Sequence, residues 1–311
     1  MSATGEKDVA TGLQPGAGAP AGAGAKAGAG APAGADVRIV FADMDDTFLA
    51  RDKSVPERNL ALLDLLAERS IAFVPCTGRS YRAVSERVLA HPATAYVVGS
   101  DGAAVTDVHR KGSPQTARLS ALGKPRALAL YERVRELPVT FDVFWGGHIY
   151  VSRERYDLMR GFDVTEADRA MYYRYRTPVD QDTPQLVEDL GGVERLTLYT
   201  PTVDVRAQAI AAIEADPTLH YTYSSPYNLE VMDANTSKGA AVGWLLAHLG
   251  IPREASVGFG DSPNDLPMME AVGRGVAVAN AYPEVRQAAS DTAPWTCDEA
   301  AVARYMERLL G

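Results

Sequence analysis

The stretch from Val37 to Thr47, VRIVFADMDDT, decides the fold, because an apolar, β-branched run leads directly into a cluster of carboxylates. Such a run predicts a strand of a parallel sheet that is buried on both faces. Ionised carboxylates at the end of a buried strand resist leaving water, so a bound cation is the expected compensation. Asp43 and Asp45 lean to the same side of an extended backbone, whereas Asp46 leans away. The pair suggests one carboxylate that attacks or binds a metal and a neighbour that moves protons, with an acidic turn as the alternative.

Composition excludes several classes of function. The chain has 311 residues and a net charge of −9, which argues against nucleic acid as a general partner. No run approaches the roughly 18 apolar residues of a membrane span, and the start of the chain lacks a signal-peptide pattern. Cys76 and Cys297 offer no disulfide framework, and the histidines are scattered singly, so a zinc site is not expected. We therefore expect a cytoplasmic protein with neither nucleic acid nor membrane as a partner.

The chain divides into segments of different composition. Residues 1–36 are rich in Ala, Gly and Pro and predict a disordered tail. In residues 37–104 and again in 228–311, strands alternate with helices through short links, as in a parallel sheet wrapped by helices. Residues 105–227 are polar and rich in aromatic side chains, and they predict an inserted domain with an antiparallel sheet. The predicted fold class is α/β: a Rossmann-like doubly wound parallel sheet core with an inserted α+β cap domain.

Hydrophobic spacing also predicts individual elements. In the core we expect, after the first strand, strands at 71–74, 95–98, 255–259 and 275–279, with helices at 57–69, 238–248, 266–271, 284–289 and 299–310 and one ending near Leu89. In the cap we expect strands at 141–151, 195–199 and 221–223, and helices near 125–136 and 202–215. The cap aromatics are expected to form its own hydrophobic core, with the lining of a pocket as the alternative.

Four motifs that carry chemical side chains fall at predicted strand ends or helix starts. Ligands of such sheets bind at the carboxyl ends of the strands, so the motifs are expected to converge. They are Asp43-x-Asp45-x-Thr47, Thr77-Gly78-Arg79, Lys238, and Gly260-Asp261-Ser262-Pro263-Asn264-Asp265.

This set resembles the motifs of the haloacid dehalogenase superfamily: DxDxT, a strand-end Thr or Ser, a Lys that opens a helix, and GDxxND. The resemblance covers about residues 37–105 and 228–311, and the long interval before the Lys motif resembles the Cof-type sugar-phosphate phosphatases, which carry a cap there. Two departures occur. Asp46 stands where many relatives have Gly, and the segment from Ser100 to Ala103 stands where many have Asn-Gly-Ala. Neither departure is expected to touch a residue that does chemistry.

The resemblance implies roles for the carboxylates. Asp43 is the expected nucleophile, which forms an aspartyl-phosphate, and Asp45 is the expected general acid and base. Mg²⁺ is the expected cofactor, since it prefers oxygen ligands. Asp43, Asp261 and the backbone carbonyl of Asp45 are its expected ligands, with Asp265 among them or directly behind. Taken alone, Asp265 also fits a helix cap.

The other motif residues are expected to bind the phosphate group. Thr77 and the Gly78 amide would donate hydrogen bonds, Lys238 would supply positive charge, and Asn264 would complete the shell. Taken alone, Lys238 also fits a solvated surface residue, and Arg79 fits a surface charge.

The expected activity is Mg²⁺-dependent hydrolysis of a small phosphorylated metabolite, with a sugar phosphate as the favoured class. A phosphosugar mutase resembling phosphomannomutases and a non-catalytic phosphate-binding regulator are the alternatives. Specificity is expected to reside in residues 104–227. There, Arg174 and Arg176 are expected on a solvated strand face, with contact to an anionic group as the alternative. The sequence leaves the oligomeric state open.

Overall fold

The computed structural model describes residues 36–109 and 113–311. The predicted disordered tail falls, apart from residue 36, outside the described residues. The strands are β1 (Ile39–Asp43), β2 (Ala72–Cys76), β3 (Tyr96–Gly99), β4 (Ala104–Asp107), β5 (Gln115–Leu119), β6 (Asp142–Trp145), β7 (His148–Ser152), β8 (Arg176–Val179), β9 (Arg195–Tyr199), β10 (Leu219–Thr222), β11 (Asn228–Asp233), β12 (Ser256–Gly260), β13 (Arg274–Ala277) and β14 (Asp291–Thr292). The α-helices are α1 (Glu57–Glu68), α2 (Glu86–Leu89), α3 (Lys124–Val134), α4 (Arg153–Leu158), α5 (Glu166–Tyr175), α6 (Thr183–Asp189), α7 (Val203–Glu214), α8 (Lys238–Leu249), α9 (Leu266–Ala271), α10 (Pro283–Ala288) and α11 (Ala301–Leu310).

The larger sheet has the strand order β14-β13-β12-β1-β2-β3-β4-β5. Its strands from β14 to β3 run parallel, and the hairpin strands β4 and β5 are antiparallel. The side chains of β1 alternate between two hydrophobic clusters. Val40 and Ala42 pack on the face covered by α1 and α11, whereas Ile39 and Phe41 pack on the face covered by α8 and α9. Helices on both faces of a mostly parallel sheet confirm the predicted doubly wound core.

The smaller sheet has the strand order β10-β11-β9-β6-β7-β8 and is antiparallel except for the β7–β8 pair. Helices α3, α6 and α7 pack on it around a separate hydrophobic cluster. This is the predicted α+β cap. Many of its aromatics serve its own packing, for example Tyr172 with Phe162, although Tyr175 and Tyr199 also line the main cavity of the described chain.

The strands do not divide between the two sheets at the predicted boundaries of the cap, residues 105 and 227. Strands β4 and β5 extend the larger sheet, because the chain turns back after β3 through a tight turn at Ser100–Gly102. Strand β11 instead lies in the middle of the smaller sheet, between β9 and β10.

Several local expectations also need correction. The helix expected to end near Leu89 is a 3₁₀ turn at Tyr81–Ala83 followed by the one-turn helix α2. The single strand expected at 141–151 is the hairpin β6–β7, which turns at Gly146 and Gly147 with φ angles of 60° and 85°. Such positive φ angles favour glycine. Among the described residues, no helix combines the length and the apolar character that a membrane crossing requires.

Candidate active site

The first motif follows β1 into a tight turn at Met44–Phe48. Asp43 is the last residue of β1 and is buried. Asp46, where many relatives carry Gly, has a φ of 59°. Asp is one of the few residues other than Gly that adopt this left-handed conformation readily, so the turn accommodates the departure. Thr47 is buried, and its hydroxyl donates to Asp261 Oδ1 at 2.8 Å, which joins the ends of β1 and β12.

Lys238 is the first residue of α8 and points into the protein. Its Nζ lies 2.6 Å from Asp43 Oδ1 and 2.7 Å from Asp265 Oδ1, and the residue is only 1% exposed. The solvated-surface alternative for Lys238 is therefore wrong. Burial opposes the charged form, yet Asp265, Asp43 and Asp101 together raise the pKa of the ammonium above its ordinary value.

Three buried carboxylates converge beside this lysine. Oxygens of Asp43, Asp261 and Asp265 all lie within 4.8 Å of one another. Burial raises the pKa of Asp43, helped by the neighbouring acids and opposed by Lys238. Burial, together with repulsion from Asp265, raises the pKa of Asp261 to about 8. Acids held this close in a dry environment need positive charge, and an all-oxygen donor set suits a hard divalent cation.

Asp265 serves two purposes in this cluster. Its Oδ2 accepts from the backbone amides of Asp261 and Ser262 at 2.9 and 3.1 Å, which caps the turn at Pro263–Asp265. Its Oδ1 accepts from Lys238. The helix-cap interpretation and the place in the acidic cluster therefore both hold, because each carboxylate oxygen has its own donor.

Asp45 faces the cavity and is held by cations. Its Oδ1 accepts from Arg79 Nη2 at 2.5 Å and lies 3.3 Å from Lys53 Nζ. Arg79 also reaches the cap: Nη1 lies 3.4 Å from the Tyr175 hydroxyl, and its guanidinium lies 5.2 Å from the ring centroid. The interpretation of Arg79 as a surface charge is therefore wrong.

The predicted phosphate-binding residues meet beside Asp43 but are not equally accessible. Gly78 and Asn264 line the cavity. The Asn264 side chain is fixed, since Ser262 Oγ donates to its Oδ1 at 2.7 Å and its Nδ2 donates to Asp101 Oδ1 at 3.0 Å. Thr77 is buried at the end of β2, where its hydroxyl oxygen accepts from the Arg79 amide at 3.0 Å.

A cavity of about 420 Å³ separates the strand ends of the larger sheet from the cap. Asp43, Asp45 and Asp261 lie on its core wall. The cap wall carries both arginines that were expected on a solvated strand. Arg174 is solvated, but it belongs to helix α5, so the expected strand is wrong for it. Arg176 opens strand β8, but its side chain is buried with Nε 3.0 Å from Asp142 Oδ2, so the expected solvation is wrong for it. A pocket of this size accommodates a small metabolite.

A family model of haloacid dehalogenase-like hydrolases matches residues 40–306. The chain belongs to this family. An HMP-PP phosphatase of Escherichia coli O6:H1 is 27% identical over 250 residues, covering 80% of this chain and 86% of that protein. A haloacid dehalogenase-like hydrolase from Bacillus subtilis has a TM-score of 0.76 at 23% identity, over 87% of this chain and 99% of that one. A HAD subclass IIB sugar phosphatase, BT4131, has a TM-score of 0.72 at 17% identity, over 87% and 98%. The family match confirms the predicted superfamily and hydrolase class, and the structural matches confirm the fold.

Sequence reasoning missed three residues that this hydrolase places beside the motifs. Asp101 holds Asn264, so the expectation that the Ser100–Ala103 segment stays away from the chemistry is wrong. Arg195, on β9, donates to the Gly78 carbonyl through Nη2 and lies 3.4 Å from Asp101 Oδ2. Glu230, on β11, lines the cavity. The departure from Asn-Gly-Ala in the Ser100–Ala103 segment is the sequence signal that points to Asp101.

Proposed function

We propose that this hydrolase is a Mg²⁺-dependent phosphatase that acts on a small phosphorylated metabolite, with a sugar phosphate as the favoured class. The observation that carries the proposal is the meeting of Asp43, Lys238 and Asp261 at one point, although they come from three separate parts of the chain. The relatives named as phosphatases support the class of phosphoric monoester hydrolase over the mutase alternative. The presence of both Asp43 and Asp45 supports catalysis over the regulator alternative.

The proposed reaction has two steps. In the first, Asp43 attacks phosphorus, a bond forms between its oxygen and phosphorus, and the bond to the leaving oxygen breaks as Asp45 gives that oxygen a proton. In the second, Asp45 takes a proton from a water molecule whose oxygen attacks phosphorus, which releases phosphate and restores the Asp43 carboxylate. Asp45 lines the cavity two residues after Asp43, which supports its proposed role in giving a proton to the leaving group and taking one from the water.

The carboxylates fit the implied metal ion. Asp43, Asp261 and the backbone carbonyl of Asp45 would hold Mg²⁺. Asp265, both of whose oxygens already accept from protein donors, would stand directly behind them. When bound, Mg²⁺ would offset the negative charge of the carboxylates and the phosphate and orient the phosphoryl group. The raised pKa values of Asp43 and Asp261 support this assignment, since they indicate negative charge that the protein's own groups leave under-compensated.

The phosphate-binding roles follow the same geometry. The Gly78 amide and Asn264 Nδ2 would face phosphate oxygens from the cavity wall. Lys238 would supply positive charge from behind Asp43, and the Thr77 hydroxyl would donate where β2 ends. Fixed donors of this kind provide most of the stabilisation in phosphoryl transfer, because they need no reorganisation as charge develops.

The experiment is the release of phosphate from p-nitrophenyl phosphate by the wild type, Asp43→Asn and Asp46→Asn. We expect Asp43→Asn to lose roughly 1,000-fold or more in turnover because the attacking carboxylate is gone. Asp46→Asn is the matched control: its side chain pairs with Lys53, and Asn tolerates the left-handed turn. Far-UV circular dichroism should show both variants folded. Substantial turnover by Asp43→Asn would refute the nucleophile assignment. A screen of phosphorylated metabolites with the wild type would identify its substrate.

A further inference from the structure

Glu230 carries a buried carboxylate oxygen whose hydrogen-bonding capacity is unused within the protein. The residue is 4% exposed and lines the cavity from strand β11. Its Oε1 accepts from Ser224 Oγ at 3.0 Å and from Asn228 Nδ2 at 3.2 Å. Its Oε2 has no hydrogen-bond partner within residues 36–109 and 113–311. A buried acceptor without a donor destabilises a fold, so an oxygen left in this state calls for a ligand or another explanation.

The position of Glu230 places its carboxylate group beside the proposed phosphate site. A β-carbon built on Gly78, whose amide is the proposed phosphate donor, would lie 3.4 Å from Glu230 Oε1. Arg195 connects the same two residues, because it donates to the Gly78 carbonyl and its Nη1 lies 4.0 Å from Glu230 Oε1. Glu230 is therefore a carboxylate that the smaller sheet presents next to Gly78, the proposed phosphate donor.

The charges around Glu230 favour a neutral donor over an ion. Arg195 and Lys238 attract its carboxylate while Asp101 repels it, so the cluster holds two cations and two acids. Burial, reinforced by Asp101, raises the pKa of Glu230 to about 7, so above neutrality the ionised carboxylate accepts a hydrogen bond while Arg195 and Lys238 offset its charge. Ser224 and Ser225 lie on the same wall of the cavity, so this part of the pocket also offers uncharged polar groups.

We propose that Glu230 is a specificity-determining residue whose Oε2 accepts a hydrogen bond from a hydroxyl group of the leaving alcohol. The preferred substrates are then phosphate esters of polyhydroxylated alcohols, and esters of plain alkyl alcohols leave the buried oxygen unsatisfied. Sites built to bond a substrate hydroxyl discriminate strongly against analogues that lack it. The inference rests on the proposed phosphatase function and adds the residue that selects the leaving group.

The test compares two esters of equal chain length, sorbitol 6-phosphate and n-hexyl phosphate, in the presence of Mg²⁺. In Glu230→Ala we expect the ratio of kcat/KM for the sorbitol ester over that for the hexyl ester to fall roughly 10- to 100-fold, the range of a hydrogen bond to a charged group. Glu230→Gln keeps the shape of the side chain and the acceptor for Ser224 and Asn228, but it puts an NH₂ donor where Oε2 was, so the ratio should fall, though by less than in Glu230→Ala. It also guards against a folding defect in Glu230→Ala.

Glu194→Ala is the control. Glu194 is another buried cap glutamate, but its oxygens are already bonded to Ser100 Oγ and the Gly146 amide, away from the main cavity. Its loss should change both esters by the same factor. If Glu230→Ala changes kcat/KM by the same factor for both esters, so that their ratio is unchanged, the proposal is overturned.

If the wild type releases phosphate from neither ester nor p-nitrophenyl phosphate, the proposed phosphatase function fails. Calorimetry then decides the role of Glu230. A Kd for sorbitol 6-phosphate that rises at least 10-fold in Glu230→Ala and not in Glu194→Ala supports hydroxyl recognition, and an equal Kd in both overturns it.

Discussion

Replacing Glu230 by Gln should stabilise the metal-free chain at pH 8 and have little effect near pH 4. The folded protein raises the pKa of Glu230 to about 7, mainly because the carboxyl is buried, against 4.5 for an ordinary glutamate. Below pH 4.5 the carboxyl is protonated in both states, so Gln and Glu are equivalent. Between pH 4.5 and 7 the unfolded chain releases this proton while the folded chain keeps it, so the wild type loses about 1.4 kcal/mol of stability per pH unit. Above pH 7 the full penalty, roughly 3 kcal/mol, is present.

The assay is urea unfolding of the wild type and Glu230→Gln at pH 5, 6, 7 and 8, followed by tryptophan fluorescence. Taking the difference between the two proteins at each pH cancels the titration of the groups that do not interact with Glu230. Trp145, on β6, reports on the same sheet as Glu230. Glu57→Gln is the control with the opposite sign, because Arg87 lowers the pKa of this exposed glutamate and its loss should destabilise at high pH. A Glu230→Gln difference that stays constant from pH 5 to 8 would show that burial does not perturb this carboxyl.

Three further predictions concern the metal, the buried lysine and helix packing. Excess chelator should remove phosphatase activity and added Mg²⁺ should restore it; phosphate release that persists in chelator would rule out the metal role. Lys238→Met should lower the free energy of unfolding by about 3–5 kcal/mol in urea titrations at pH 7, because Asp43 and Asp265 lose their buried cation. Gly239→Ala should destabilise helix α8 in thermal melts, since its β-carbon would lie 2.1 Å from a backbone carbonyl oxygen, whereas Gly243→Ala, which meets nothing within 4 Å, should stabilise it by up to about 1 kcal/mol. Equal shifts in the two glycine variants would contradict the packing of α8 against α9.

The core was predictable because its signals are local. The apolar run before Asp43 predicts a strand and the turn that follows it. Gly260 at the end of β12 and Gly250 after α8 mark where those elements stop. Their side chains alternate between two hydrophobic clusters as the sequence pattern requires. The predicted strand at 195–199 was also placed correctly, since its alternation of apolar and polar residues is strong.

The cap was harder because its sequence lacks strong periodicity. Helices α4, α5 and α6 were not predicted; α5 carries the run from Glu166 to Tyr175, in which charged and aromatic residues obscure an apolar face. The pattern at 141–151 predicts one strand, whereas Gly146 and Gly147 adopt positive φ angles and turn the chain into the β6–β7 hairpin. In such segments tertiary packing decides the structure, and the Tyr172 ring packs against Tyr156 and Tyr199, which are distant in the chain.

Within the site, two of the three missed residues, Asp101 and Arg195, have partners that are remote in sequence. Asn264 reaches Asp101 across 163 positions, and Arg195 reaches Gly78 across 117. No local pattern encodes such contacts. Lys238 taken alone also fits a surface residue, whereas Asp261 is indicated by its place at the end of a predicted strand before any family motif is considered. The motif residues are therefore predictable from the sequence, whereas contacts such as that between Arg195 and Gly78 are visible only in the folded structure.

The charge of the buried cluster is the strongest physical argument for its chemistry. Three carboxylates, Asp43, Asp261 and Asp265, share a single buried ammonium, that of Lys238. If all are ionised, two negative charges remain uncompensated in a dry environment. Burial, with repulsion between the acids added to it, raises the pKa of Asp43 above its ordinary value and that of Asp261 to about 8. A cluster that served stability alone would be improved by removing an acid. One divalent cation would balance the two excess negative charges. A phosphate dianion could bind at the same place only after that compensation. The arrangement therefore favours a metal-dependent phosphoryl site over a structural salt bridge.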